Sequence, residues 1–100
     1  MIVDYKKNGL RVHIDGAFQR FLTNVSVVKR EAGDVLIVRG ILVESDSSLL
    51  WTQASAGDVL SVLIENSDGY ERAAKAKLLT LTKGQNLQGK CSFWHARFAL

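Results

Sequence analysis

Cys91 and His95 are, by residue type, the pair in this chain best suited to covalent chemistry, a thiol nucleophile with an imidazole base. Four residues along an extended strand put them on one face but about 13 Å apart, beyond hydrogen-bond reach. His13 is the other histidine. With no cysteine or carboxylate cluster at metal-ligand spacing, both histidines read as polar strand positions and Cys91 as a small packing residue. The glycines from Gly84 to Gly89 lack the Lys-Ser/Thr of a phosphate-cradling loop, and no strand-to-helix dinucleotide fingerprint is present. The expectation is no catalytic residue, no cofactor, no metal and no enzymatic activity.

A second kind of chemistry is binding. Lys29-Arg30 with Arg39, or Arg72, Lys75 and Lys77 with Phe93, Trp94 and Arg97, would form a basic and aromatic face. Small β-barrels turn such faces to single-stranded nucleic acid. The alternative is a solvated strand face lying over core aromatics.

The elements that must position these residues are strands. Asp58 to Leu100 divides into three runs at Ser67-Asp68-Gly69 and Gly84-Gln85-Asn86, residues that tolerate positive φ or bond their own backbone. Leu60, Val62 and Ile64 alternate with Ser61 and Leu63, and Trp94, Ala96, Phe98 and Leu100 alternate with Phe93, His95 and Arg97, as in a three-stranded antiparallel meander. The middle run is ambiguous, because Glu71 to Leu79 is rich in helix formers. The turns on both sides and the Thr80/Thr82 pair favour strand, with a bulge near Lys77 to reconcile small Ala74 and Ala76 with Leu79 and Leu81 on the other parity.

Earlier in the chain, Met1 to Tyr5 is a short apolar lead, followed by a Lys6-Lys7-Asn8-Gly9 turn. Leu10, Val12 and Ile14 then mark a half-buried strand, and Asp15-Gly16 a turn. Phe18 to Arg30 is β-branched enough to favour strand, Ala32-Gly33-Asp34 reverses the chain, and Val35 to Val43 is apolar on both faces. That pattern predicts a central strand covered on each side, with Gly40 at a bulge or a close backbone approach. Ser47 or Ser48 would cap a short helix running to about Ala56 and ended by Gly57. The predicted core is Leu10, Val12, Ile14, Val25, Val27, Val35, Ile37, Leu60, Val62, Ile64, Trp94 and Phe98.

One hundred residues make one domain, 1–100, able to bury a core without staples. Hydrophobic residues are 47% and charged residues 23%, too apolar for disorder, and no run approaches the ~20 apolar residues of a membrane span. A charge of +3 is far from that of a dedicated nucleic-acid binder. A single cysteine and no leader pattern point to the cytoplasm by default. The absence of proline removes the commonest device for blunting strand edges, so edges paired with another chain are expected.

The order of the last third, an extended run, Ser67-Asp68-Gly69, a strand opening at Tyr70 with small residues, a glycine-containing turn and the closing GKCSFWHARFAL, resembles the end of tail-tube-like proteins of tailed bacteriophages. The resemblance implies a β-sandwich or barrel-like sheet with one flanking helix, joining copies into stacked rings. The short chain and its positive charge point within that class to a smaller tail, neck or baseplate component. The expectation is therefore a single antiparallel β-sandwich or barrel-like domain of six or seven strands with one or two short helices. It would serve as a non-enzymatic structural subunit in a virion assembled in the host cytoplasm, partnered by its own copies and other structural proteins. Runner-up readings are a single-stranded nucleic-acid module and an inhibitor or immunity-type protein. Contacts between chains are expected at Trp51, Phe93 and the Lys75, Lys77 and Leu79 segment, with Arg72 and Arg97 at a polar rim.

Overall fold

Alternating burial gives each strand one face turned to the core. In the computed structural model, which describes residues 2–4 (backbone), 10–85 and 91–100, the strands are β1 Ile2–Asp4, β2 Arg11–Ile14, β3 Ala17–Phe18, β4 Leu22–Val28, β5 Val35–Ile41, β6 Val59–Glu65, β7 Glu71–Gln85 and β8 Ser92–Ala99. They form one antiparallel sheet in the order β1-β4-β5-β8-β7-β6-β2-β3. The Met1, Tyr5 and Lys6-Lys7-Asn8-Gly9 expectations lie outside the described residues.

The sheet closes around its core because β7 serves two neighbours in succession. Its first half, Glu71 to Lys77, pairs with β6, and its second half, Lys77 to Gln85, pairs with β8. A register shift between Leu78 and Thr80 marks the junction, and such an extra residue bends a strand and increases its twist. The result is one curled, half-barrel sheet. Its inner face carries Val12, Ile14, Val25, Val27, Leu36, Val38, Val62, Ile64, Ala76, Leu78, Trp94, Ala96 and Phe98.

A 3-10 helix, Ser47–Gln53, adds Leu49 and Trp51 to that core. Asp46 caps it by accepting the Ser48 amide at 3.0 Å. The Trp51 ring meets Trp94 edge to face, with centroids 4.9 Å apart at 85°, and lies 5.7 Å from Phe98. Such aromatic contacts contribute ~0.5–1.5 kcal/mol each beyond the area they bury.

The fold class is as expected, and several local expectations change. Glu71–Gln85 is strand throughout, and the bulge expected near Lys77 lies between Leu78 and Thr80. Gly84 and Gln85 belong to β7 and not to a turn, and Asn86 lies outside the described residues. Strand β5 turns one face to the core: Leu36 and Val38 are fully buried, whereas on the other parity only Val35 at the strand's start is buried, Ile37 is half-buried and Arg39 and Ile41 are exposed. Ile37 thus leaves the predicted core and Leu36 and Val38 enter it, since a run apolar at every position carries no parity signal. Phe18 and Leu22 sit in separate strands; at Gly40, expected at a bulge or a close backbone approach, the extra residue lies on the paired strand β4 between Leu22 and Asn24, and the close neighbour is the Trp94 side chain.

Candidate functional site

The outward residues of β5, β8 and the second half of β7 form rows across the sheet. Ile41, Phe93 and Gly84 stand side by side in one row. The Ile41 amide donates to the Phe21 carbonyl at 2.9 Å, which brings Phe21 to the end of that row. Phe21, Ile41 and Phe93 are 48%, 37% and 42% exposed. The next row is Arg39, His95 and Thr82, and the one after it Ile37, Arg97 and Thr80.

Phe93 has a defined pose because Gly84 opposite it has no side chain. A Cβ built on Gly84 would stand 2.9 Å from Phe93 Cζ, 3.3 Å from Cε1 and 3.4 Å from Cε2. A ring meeting Gly84 tip-on would hold its Cε carbons much farther away than Cζ. The near-equal distances put Gly84 under the face of the ring's outer end, and the side chain is 42% exposed.

This face is electropositive. The residues of β4, β5, β8 and Lys77 to Gln85 include no Asp or Glu, and on this face they carry Arg39, Lys77 and Arg97, whereas Lys83 stands opposite inward-facing Trp94. Among the described residues the ion pairs are Arg11–Glu65, His13–Glu65, Lys29–Asp34 and Arg72–Asp34, so neither Arg39 nor Arg97 is neutralised by a carboxylate. Burial, then the Arg39 and Arg97 charges, hold His95 below its ordinary value of 6.5. His95 Nε2 is buried without a hydrogen-bond partner among the described residues. A hollow of about 400 Å³ lined by Thr23, Arg39, Phe93, Trp94 and His95 opens on this face.

A second feature is the margin of β7 itself. Among the described residues no strand pairs, from Leu79 to Gln85, with the side of β7 facing away from β8, because β6 stops at the Val59–Lys77 pair. Which backbone groups point there follows from the β8 alternation. The Leu100 amide donates to Asp34 O and the Ser92 carbonyl accepts from the Leu42 amide, so even-numbered β8 residues face β5. Odd-numbered Phe93, His95 and Arg97 therefore face β7, where Gly84, Thr82 and Thr80 answer them. Leu81, Lys83 and Gln85 turn their N–H and C=O groups to the open side.

Of the residues expected at contacts, Lys77, Phe93 and Arg97 share the outer face, Lys75 lies farther along β7, and half-buried Leu79 is at the bulge. Trp51 and Arg72 do not belong with them. Trp51 is 4% exposed, and its indole Nε1 donates to Gln19 Oε1 at 3.1 Å. Arg72 is held inside its own chain by Asp34, 2.7 Å away. Phe21, Ile41 and the open margin of β7 were missed, although Gly84 within a strand was a signal of close approach opposite Phe93.

A third cluster lines the cleft of about 520 Å³ beside β2, β6 and β7. There Lys75 Nζ donates to Ser61 Oγ at 2.7 Å, and His13 Nε2 sits 3.0 Å from Glu65 Oε1. Ser61 and Lys75 face each other across the β6–β7 pairing, and Lys75 is exposed. The contact reads as a cross-strand hydrogen bond. The Cys91 thiol donates to the Ser92 carbonyl at 3.6 Å. Comparison with protein-family models, with curated proteins and with solved structures gives no match for this chain.

Proposed function

We propose that this chain is a non-enzymatic structural subunit of a multi-chain assembly, a small tail, neck or baseplate component of a phage particle, joined to further copies of itself by strand addition. The observation that carries the reading is the side of β7 from Leu79 to Gln85, which pairs with no strand among the described residues. Monomers protect such margins with proline, bulges or very short edge strands. The outermost strands β1 and β3 are short, three and two residues, and follow that rule. The β7 margin is longer, and no proline interrupts it. An incoming strand would gain main-chain hydrogen bonds at Leu81, Lys83 and Gln85. The residue order of the last third, resembling tail-tube-like proteins, supports the phage setting.

Sedimentation velocity on the purified protein tests this. The parent chain should form oligomers at tens of micromolar, and Lys83→Pro, which deletes an outward amide without touching the β8 ladder, should weaken assembly at least tenfold. Amide exchange gives a readout that needs no variant: Leu81, Lys83 and Gln85 should become protected as concentration rises. A parent that remains monomeric, with those three amides exchanging freely at every concentration, overturns the proposal.

A further inference from the structure

We infer that the outer face of β5, β8 and β7 binds single-stranded nucleic acid, with Phe93 as a base-stacking platform and Arg39, Arg97 and Lys77 on the phosphates. The inference does not rest on assembly, since it uses the face of the sheet and not its margin.

Three observations converge on it. The first is the pose of Phe93: its ring's outer end lies face-on over Gly84, and the side chain is 42% exposed. A planar group can stack there without displacing any side chain, and stacking is indifferent to base identity because every base has a π-face. Phe21, 48% exposed at the end of the same row, extends the platform across β4 and β5.

The second is charge. Arg39 lies diagonally across the β5–β8 pairing from Arg97, with His95 between them, and Lys77 lies along β7 from Thr80, the partner of Arg97. Arg39, Arg97 and Lys77 make no ion pair among the described residues, whereas Arg11, Lys29 and Arg72 do. Unpaired arginines on one face, with no carboxylate on the strands that carry them, attract a polyanion and repel a second copy of the same face. A two-fold contact between copies through this surface is thereby disfavoured.

The third is the chemistry between the cations. Thr80 and Thr82 present hydroxyls in the same rows, and the hollow beside Arg39, Phe93 and His95 holds about 400 Å³. Aromatic stacking beside flexible cations and hydroxyl groups suits an extended strand whose bases and phosphates alternate. A duplex keeps its base faces stacked inside and offers Phe93 nothing to stack on.

The test is fluorescence anisotropy of a labelled oligothymidylate against the purified chain at several salt concentrations. Binding should weaken as salt rises, with a slope of ~0.7 per phosphate contacted. Phe93→Ala should weaken it about tenfold, in keeping with ~1–3 kcal/mol per stacked base. Arg39→Gln and Arg97→Gln should each flatten the salt slope by about one contact. Arg30→Gln removes the same charge from the β4–β5 turn, outside this face, and should leave both quantities nearly unchanged. Each variant is checked for the parent's melting temperature, and Phe93→Leu, which keeps the bulk and loses the ring, covers the case in which Phe93→Ala fails to fold. Three results would each overturn the inference: no binding at low salt, equal losses for Arg30→Gln and Phe93→Ala, or equal affinity for the oligothymidylate and its duplex with oligoadenylate. Binding of an acidic polypeptide with the same Phe93 dependence would also overturn it and assign the face to a protein partner.

Discussion

Trp94 lies across Gly40, the residue directly opposite it on β5, so closely that a Cβ on Gly40 would stand 2.6 Å from Cε2, 2.6 Å from Cζ2 and 2.7 Å from Nε1 of the indole. The same device recurs on the other side of the sheet with Phe93 on Gly84, and the two sites should respond differently to a methyl group. Trp94 is 1% exposed and wedged against Trp51, so it has nowhere to move. Gly40→Ala should therefore cost ~1–3 kcal/mol by overpacking. Gly84→Ala should cost less, because surface-lying Phe93 can swing outward. Urea unfolding of the two variants checks this, and equal costs would mean that the Trp94 ring has room to shift.

Parity on β5 predicts a second contrast. Val38 is fully buried on the inner face, whereas half-buried Ile37 faces outward beside Arg97. Val38→Asp strands a charge in the core and should unfold the domain or cost several kcal/mol, roughly the range for unpaired buried charges. Ile37→Asp places its carboxylate next to a guanidinium and should change stability by no more than ~1 kcal/mol. Thermal melts of the two variants should differ by many degrees. Similar melting temperatures would reverse the assignment of the two faces.

The inner face of β5 is not encoded in its own sequence. Where polar residues alternate with apolar ones, as at Arg11 to Ile14 or Phe93 to Phe98, the period fixes both the strand and its inner face. Val35 to Val43 is apolar at nearly every position, so its parity is decided by the neighbours it pairs with, which are distant in sequence. Trp51 was misplaced for a related reason. Trp51 follows Leu49 and Leu50 in a short segment with no strand alternation to fix its inner face, and only the fold brings Trp94, Phe98 and Gln19 around it. The basic outer face was legible in part. Phe93, Lys77 and Arg97 fall together because β7 and β8 are a hairpin, but Phe21 and Ile41 join them through β5, a non-local pairing that local pattern does not encode.

Acid should loosen one end of the barrel. Asp34, ahead of β5, accepts from Arg72 Nη1 at 2.7 Å and from Lys29 Nζ at 3.0 Å, joining the β4–β5 turn to the start of β7. The hydrogen bond from Arg72, then that from Lys29, holds the Asp34 carboxyl below its ordinary value of 3.8. As pH falls past 3.8 the unfolded chain therefore binds this proton before the folded chain does, and stability is lost through the window down to the folded value. Asp46, lowered chiefly by the Ser48 hydroxyl, adds loss in the same range. Asp34→Asn should be less stable than the parent at neutral pH, with the gap narrowing below 3.8 while the Asp46 contribution persists in both. Urea titrations at several pH values give the difference curve, and a gap constant with pH would dismiss the ion pair as a contributor.

The last prediction concerns Gln19, which is 3% exposed yet polar. Its amide Nε2 donates to Ser48 O at 2.8 Å and to Ala17 O at 3.0 Å, and its Oε1 accepts from Trp51 Nε1 at 3.1 Å. One side chain thus fastens the 3-10 helix to β3 and satisfies the indole that the helix inserts into the core. Trp94 Nε1 already lacks a partner among the described residues, so losing Gln19 would leave a second indole donor buried and unbonded. Gln19→Ala should cost ~2–4 kcal/mol, combining the unpaired groups with a cavity. Gln19→Leu refills most of the volume without restoring a hydrogen bond, so the stability it fails to recover measures the polar contribution. Trp51→Phe removes the donor from the other side, and the Gln19→Leu/Trp51→Phe double variant should be more stable than the sum of the single losses by ~1 kcal/mol, a coupling of ordinary size for residues in contact. Urea unfolding followed by tryptophan fluorescence and by far-ultraviolet circular dichroism supplies the four stabilities. Strict additivity would mean that packing alone seats the helix and that the Gln19–Trp51 hydrogen bond contributes nothing to it.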